Sequence, residues 1–186
     1  MATLIQHERE KLVEAVLFFA QKVRKLGKTK LFKLLYFLDF EHYQHTGRPV
    51  TGLDYFAWRM GPVPVSLFEE LGAGDIQWGD KVQFRVTKTA AGEMLAVKAL
   101  SDFDASHFSR RELRLMNRLA EEYRDANADD MVEATHVENR PWHEIYEVRG
   151  QRQKQIPYEL ALRKQDAEVI QGLTDARVEF IETFKT

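Results

Sequence analysis

The eleven residues from Lys30 to Phe40 include only three charged ones, Lys30, Lys33 and Asp39. Leu31, Leu34, Leu35 and Leu38 recur at helical spacing, while Phe32, Tyr36, Phe37 and Phe40 place apolar surface on the other sides. A helix that is apolar all round needs neighbours on every side. The segment therefore predicts the central helix of a domain, capped by Thr29 and ended by Gly47, Arg48 and Pro49. The rest of the chain is what must enclose it.

The enclosing elements have their own signals. Leu12, Val16, Phe19, Val23 and Leu26 mark a preceding helix, with Gly27 as its left-handed cap. Tyr55, Phe56 and Trp58 suit a strand over Leu53 to Met60, which Gly61-Pro62-Val63-Pro64 breaks before a short helix from Ser66 to Leu71. Gly72, Gly74 and Gly79 read as loop. Val82, Phe84 and Val86 alternate as a half-buried strand, and Met94 to Lys98 pairs with it across the Thr89–Gly92 turn. Ser109 and Glu112 form a capping box, with Phe108 and Leu113 placed as a hydrophobic staple. They predict a helix from about Arg110 to Asp125. Asn127 caps a short helix through Thr135, an irregular stretch surrounds Pro141 and Trp142, and a final helix carries Val169, Ile170, Leu173, Phe180, Ile181 and Phe184. The expected fold is α+β and predominantly helical, a compact helical body with a small inserted antiparallel sheet. Residues 1–150 form the domain, and residues 151–186 form a helical extension packed on it.

At 186 residues the chain can bury one substantial core, and 44% hydrophobic with 30% charged residues is ordinary globular composition. It has no cysteine, which removes disulfides, thiolate metal sites and cysteine nucleophiles and suits a reducing, cytoplasmic setting. Met1 to Glu10 lacks the apolar stretch of a signal peptide, and no apolar run approaches a membrane span.

Motifs for catalysis fail on spacing. Gly27-Lys28-Thr29 resembles the end of a phosphate-binding loop, but Lys22 stands where that loop needs glycine. His42 and His45 lie one helical turn apart near Asp39 and Glu41, and His136 and His143 bracket Trp142; neither group predicts the three converging ligands of a metal site. No nucleophile elbow is present. The expectation is a protein without catalytic residues, cofactor or metal. Lys22, Arg24, Lys25, Lys28, Lys30 and Lys33 form an acid-free basic cluster at a helix–turn–helix-like junction, so Lys25, Lys28, Lys30 and Lys33 are a candidate basic surface for nucleic acid. The pI of 6.3 favours a solvated face or an acidic protein partner instead.

The segment from Lys30 to Asp39 resembles the opening signature of the Panacea domain, the SocA-like antitoxin domain. The resemblance continues through Gly47 to Gly52, Tyr55, the Gly61-Pro62-Val63-Pro64 turn, Phe108-Ser109, and His136 followed by Pro141-Trp142, spanning about residues 8 to 146. It implies an antitoxin that neutralises a cognate protein toxin, encoded nearby, by direct binding. It equally allows an adaptor delivering its partner to a ClpXP-type protease, as the SocA member does. A helix–turn–helix-like DNA-binding regulator is the further alternative. Lys30, Tyr36, Asp39, Tyr55, Gly61, Pro62, His136 and Trp142 are the motif residues carried over, with a structural or partner-binding role. Asp39 and His136 are expected to approach each other. Tyr55 and Trp58, on a strand whose alternate face is expected to be open, and Phe180 in the tail are candidate partner contacts; an exposed edge over residues 53–59 would favour partner pairing.

Overall fold

The computed structural model describes residues 2–72, 74–90, 92–137 and 140–162, with the backbone alone for residues 2–8. Helix α1 (Ala2–Lys22) and helix α2 (Lys28–Thr46) are joined by a tight turn. The predicted α1 stripe is buried, from Leu12 through Val23 to Leu26. Gly27, however, is extended rather than left-handed, and Lys25 takes the left-handed conformation at φ 48°. The glycine is needed for close approach. Gly27 bridges Ala96, the Val97 N–H donates to Leu26 O at 2.9 Å, and a Cβ on Gly27 would lie 2.8 Å from the Met94 side chain. Thr29 falls inside α2 and does not cap it. Gly47 ends α2 as expected, left-handed at φ 68°, with its N–H on Tyr43 O.

Strands β1 (Tyr55–Trp58) and β2 (Gly61–Pro64) pair antiparallel, Tyr55 opposite Pro64 and Trp58 opposite Gly61. The residues expected to break a strand thus form one. Two prolines without N–H donors suit an edge position. The other side of β1 is occupied by residues 153–156: Ala57 N–H donates to Lys154 O, Gln153 N–H to Ala57 O and Ile156 N–H to Tyr55 O, each at 2.8 Å. The edge whose exposure would have favoured partner pairing is therefore closed by the chain's own later segment. Helix α3 (Val65–Glu70) follows at once.

A second sheet has the order β3 (Ile76–Trp78), β4 (Val82–Thr89), β5 (Gly92–Ala99), all antiparallel. β3 occupies the stretch read as glycine-rich loop. Val82, Phe84 and Val97 are buried, and the sheet packs on α1 and α2. Helix α4 (Arg110–Glu122) starts at the predicted capping box: Ser109 N–H donates to Glu112 Oε2 at 2.6 Å and Glu112 N–H to Ser109 Oγ at 3.3 Å. Helix α5 (Ala128–Thr135) has a second box built by Asn127 and Asp130. The stretch around Pro141 is helical rather than irregular. Helix α6 (Pro141–His143) has proline in its first turn, where the missing N–H costs nothing, and continues as a π turn over Glu144–Val148. A 3₁₀ turn at Tyr158–Ala161 packs on α2.

The fold is α+β and predominantly helical, with the strands in two small sheets rather than one. Of the extension, residues 153–162 lie against β1 and α2. The predicted last helix, with Phe180, falls outside the described residues. No helix among the described residues is long and apolar enough to cross a membrane.

Gly61 joins these layers. At φ +94° it takes a conformation that disfavours any side chain, and a Cβ there would sit 2.6 Å from Thr135 Oγ1 and 2.8 Å from Lys33 Nζ. Gly61→Ala should destabilise the fold by about 2–4 kcal/mol in urea titration, combining backbone strain with overpacking. Gly79→Ala, with open space around its Cβ, should lose less.

Candidate functional site: the buried charges of the central helix

Helix α2 is buried continuously from Lys30 to Phe40, so the three charged side chains of that stretch must find partners inside the protein. Asp39 is fully buried. Its Oδ1 accepts from Val50 N–H at 2.8 Å and Thr51 N–H at 2.6 Å, and its Oδ2 from Thr51 Oγ1 at 2.5 Å and Tyr55 OH at 2.7 Å. Burial raises its pKa above the ordinary carboxylate value, while the four donors pull the other way. A carboxyl surrounded by four donors is an anchor. It fixes the 50–55 segment on α2 and delivers β1 at the correct height.

Lys30 is 3% exposed, and its Nζ donates to Arg24 O at 3.1 Å, Arg124 O at 3.2 Å and Ala126 O at 2.6 Å. Three acceptors match the three protons of an ammonium. They lie just past the C-terminal ends of α1 and α4, where free carbonyls favour a cation. Burial lowers the Lys30 pKa, and Asp125 and Asp130 oppose that shift.

Lys33, one turn on, is 1% exposed and donates to Pro62 O at 2.9 Å, its one acceptor among the described residues. Thr135 Oγ1 lies close by but donates to Val132 O. Burial without a compensating anion pushes the Lys33 pKa down to about 7. His136 is held below its ordinary value as well, first by burial and then by Lys33.

From His136 a ladder of flat groups runs outward. His136 stacks on Trp142 at 3.8 Å between centroids, Trp142 on Tyr146 at 4.7 Å, and the Arg152 guanidinium lies 5.3 Å from the Tyr146 ring centre. The Trp142 indole N–H donates to Trp58 O at 2.9 Å, tying the ladder to β1. Lys33, Gly61, Pro62, His136 and Trp142 thus converge on one nest at the meeting of α2, β2, α5 and α6. Thr51, which donates twice to Asp39, and Thr135, buried against Gly61, were missed because an isolated threonine carries no sequence signal.

Several expectations change. Asp39 and His136 do not pair: the Asp39 oxygens are taken by residues 50–55, and His136 stacks on Trp142. The candidate basic surface loses Lys30 and Lys33 to the interior, and Lys28 lies 4.6 Å over the Phe68 ring. Of the four, Lys25 is exposed. Tyr55 is 1% exposed and cannot meet a partner; Trp58 is half-buried against Phe68. His42 hydrogen-bonds through Nδ1 to Arg48 O at 2.7 Å, which fixes the end of α2.

A cavity of about 670 Å³ opens alongside the C-terminal half of α2, lined by Phe40, Glu41, Arg118, Tyr123 and Arg140. Arg118 bridges both acids at its wall, Glu41 and Glu122.

The family model of the antitoxin SocA-like Panacea domain matches residues 31–143. The chain belongs to this family. No curated protein and no solved structure matches it. The matched segment of this Panacea protein holds the Asp39 anchor and the whole Lys33 nest; Lys30 precedes it, and the Arg152 end of the ladder follows it.

Two outcomes follow from the buried charges. Asp39→Ala strands four donors and should cost about 3–5 kcal/mol, against about 1.5–3 kcal/mol for Tyr55→Phe, both read from urea unfolding. For Lys33, the unfolded side chain titrates at 10.5 and the folded one at about 7. Between those values the unfolded state holds a proton that the folded state lacks, so stability rises with pH. The contribution approaches about 1.4 kcal/mol per pH unit. Lys33→Met should flatten that rise between pH 7 and 10, measured by urea midpoints; an unchanged slope would show that Lys33 is charged in the fold.

Proposed function

We propose that this Panacea protein is an antitoxin that neutralises a protein toxin, encoded by the adjoining gene, by direct stoichiometric binding. The observation carrying this reading is the family match over residues 31–143. The structure adds a physical reason. The motif residues Lys30, Tyr36, Asp39, Tyr55, Gly61, Pro62 and Trp142 are buried, His136 is half-buried, and together they hold the frame. Recognition of a partner then falls to exposed residues. The charged groups of the α2 cavity also suit structure better than turnover, because both of its acids hold Arg118.

Delivery to a ClpXP-type protease is the second reading, which the SocA-like description of the family favours. The basic-surface argument for DNA loses most of its support with Lys30 and Lys33 inside.

Co-expression tests the proposal. Induction of the adjoining gene's product should arrest growth, and the full chain should restore it, with a 1:1 complex on size-exclusion chromatography. Rescue should persist in a strain lacking the protease; rescue lost there would identify the adaptor. No rescue from a demonstrably toxic neighbour would overturn the antitoxin reading.

A further inference from the structure

Among the described residues, three of the five exposed large apolar side chains gather at one end of the molecule: Met60 at 55% exposure, Val137 at 51% and Val148 at 63%. Strand register brings them there. Phe56 lies opposite Gln155 in an antiparallel bridge, and Gln153 N–H reaches Ala57 O. The β1–β2 turn carrying Arg59 and Met60 therefore projects from the same end as the turn through Gly150 and Arg152. Gly61 packs against Thr135, so Val137 leaves α5 at that end too. Beneath lie the stacked Trp142 and Tyr146, hydrogen-bonded to β1 through Trp58 O.

The charge around this apolar centre is predominantly basic, with Arg149 paired to Glu144 at 2.9 Å and Glu147 exposed beside Val148. From Val148 to Gln155 the chain has Arg149, Arg152 and Lys154 and no acid, and Arg59 is exposed on the facing turn. The whole chain carries a formal charge of −2, so this basic rim stands against an acidic background. Apolar side chains over stacked aromatics, ringed by arginines, match the anatomy of a protein interface. Nucleic acid would gain from the arginines but nothing from an exposed methionine and two valines.

We propose that this end, formed by the β1–β2 turn, Val137 and the 148–154 turn, is the face that seats the toxin, and that it takes an apolar side chain flanked by carboxylates. The proposal rests on the antitoxin reading. The stacked ladder holds the two turns at fixed spacing before a partner arrives, which lowers the ordering cost of association. The arginines steer an acidic partner in and set its orientation.

The test uses the full chain and the adjoining gene's product, the latter as an inactive variant for titration calorimetry. Met60→Asp with Val148→Asp, and separately Arg59→Glu with Arg152→Glu, should each raise the Kd at least tenfold and weaken growth rescue. Arg85→Glu with Lys88→Glu, on the exposed half of β4, should stay within about twofold. The apolar and β4 pairs should melt with the wild type, and the arginine pair, which gives up the exposed Arg152–Tyr146 contact, only slightly below it. The loss from the arginine pair should shrink in 0.5 M salt, because surface charge pairs are screened, and the loss from the apolar pair should not. Face variants that melt normally and bind within threefold of wild type overturn the proposal, as does an equal loss in the β4 control. Binding of duplex DNA that depends on Arg59 and Arg152 overturns it in favour of nucleic acid. If the wild-type chain neither binds nor rescues, the antitoxin reading itself has failed, and that outcome is distinct from the others.

Discussion

Enclosure of α2 on every side is the constraint from which the rest of the structure follows. Apolar burial drives the enclosure but is non-directional, so by itself it does not say which loop lies against which turn of the helix. The charged residues of α2 supply that information. Asp39 selects the 50–55 segment, because only a backbone turn offering consecutive N–H groups can fill a carboxylate there. Lys30 selects the chain just past the ends of α1 and α4, where carbonyls outside the helical ladder can accept from it. Lys33 selects β2. Each buried charge thereby places a neighbouring part of the chain on the central helix.

The two lysines show how the environment, rather than the residue type, sets the chemistry. Residues 30 and 33 are one turn apart on one helix and equally hidden from solvent. Lys30 meets three carbonyls and two nearby acids, which suit an ammonium. Lys33 meets one carbonyl, a glycine and the neighbouring His136. Its cationic form is the less favoured, and the cost of burying it falls on the stability of the nest. The Gly61 conformation follows from the same crowding, since any side chain there would displace the amine.

What was legible in the sequence was local or compositional. The central position of α2 follows from its all-round apolar surface, and the start of α4 from Ser109 and Glu112, whose hydrogen bonds close within three residues. The β4–β5 hairpin shows in alternation. The buried role of Lys30 and Lys33 was hidden because their acceptors come from residues 24, 62, 124 and 126, and no helical spacing reveals a carbonyl far along the chain. β2 was hidden by its prolines, which argue against a strand unless the strand lies at an edge. The closing of β1 by residues 153–156 is a pairing across about a hundred positions between segments with no shared signal. The expected Asp39–His136 contact failed for a related reason: each found a better neighbour, a donor-rich loop for the acid and an indole face for the imidazole.

A family signature spent on the interior has a consequence for how such a protein recognises anything. Asp39, Lys33, Gly61 and Trp142 cannot touch a partner, so their contribution to binding is to hold exposed residues at fixed positions. The ladder from His136 to Arg152 does this most directly. Its inner end is locked against Lys33 and α5, its middle is hydrogen-bonded to β1, and its outer end carries an arginine beside the turn that bears Val148. Because Trp142 bonds to Trp58 O while Tyr146 stacks beneath Arg152, the β1–β2 turn and the 148–152 turn are braced against each other. Substitutions on the outer surface of these turns can alter what is recognised while leaving the brace in place. A substitution at Trp142 would loosen both turns together, weakening binding through lost order rather than through a lost contact.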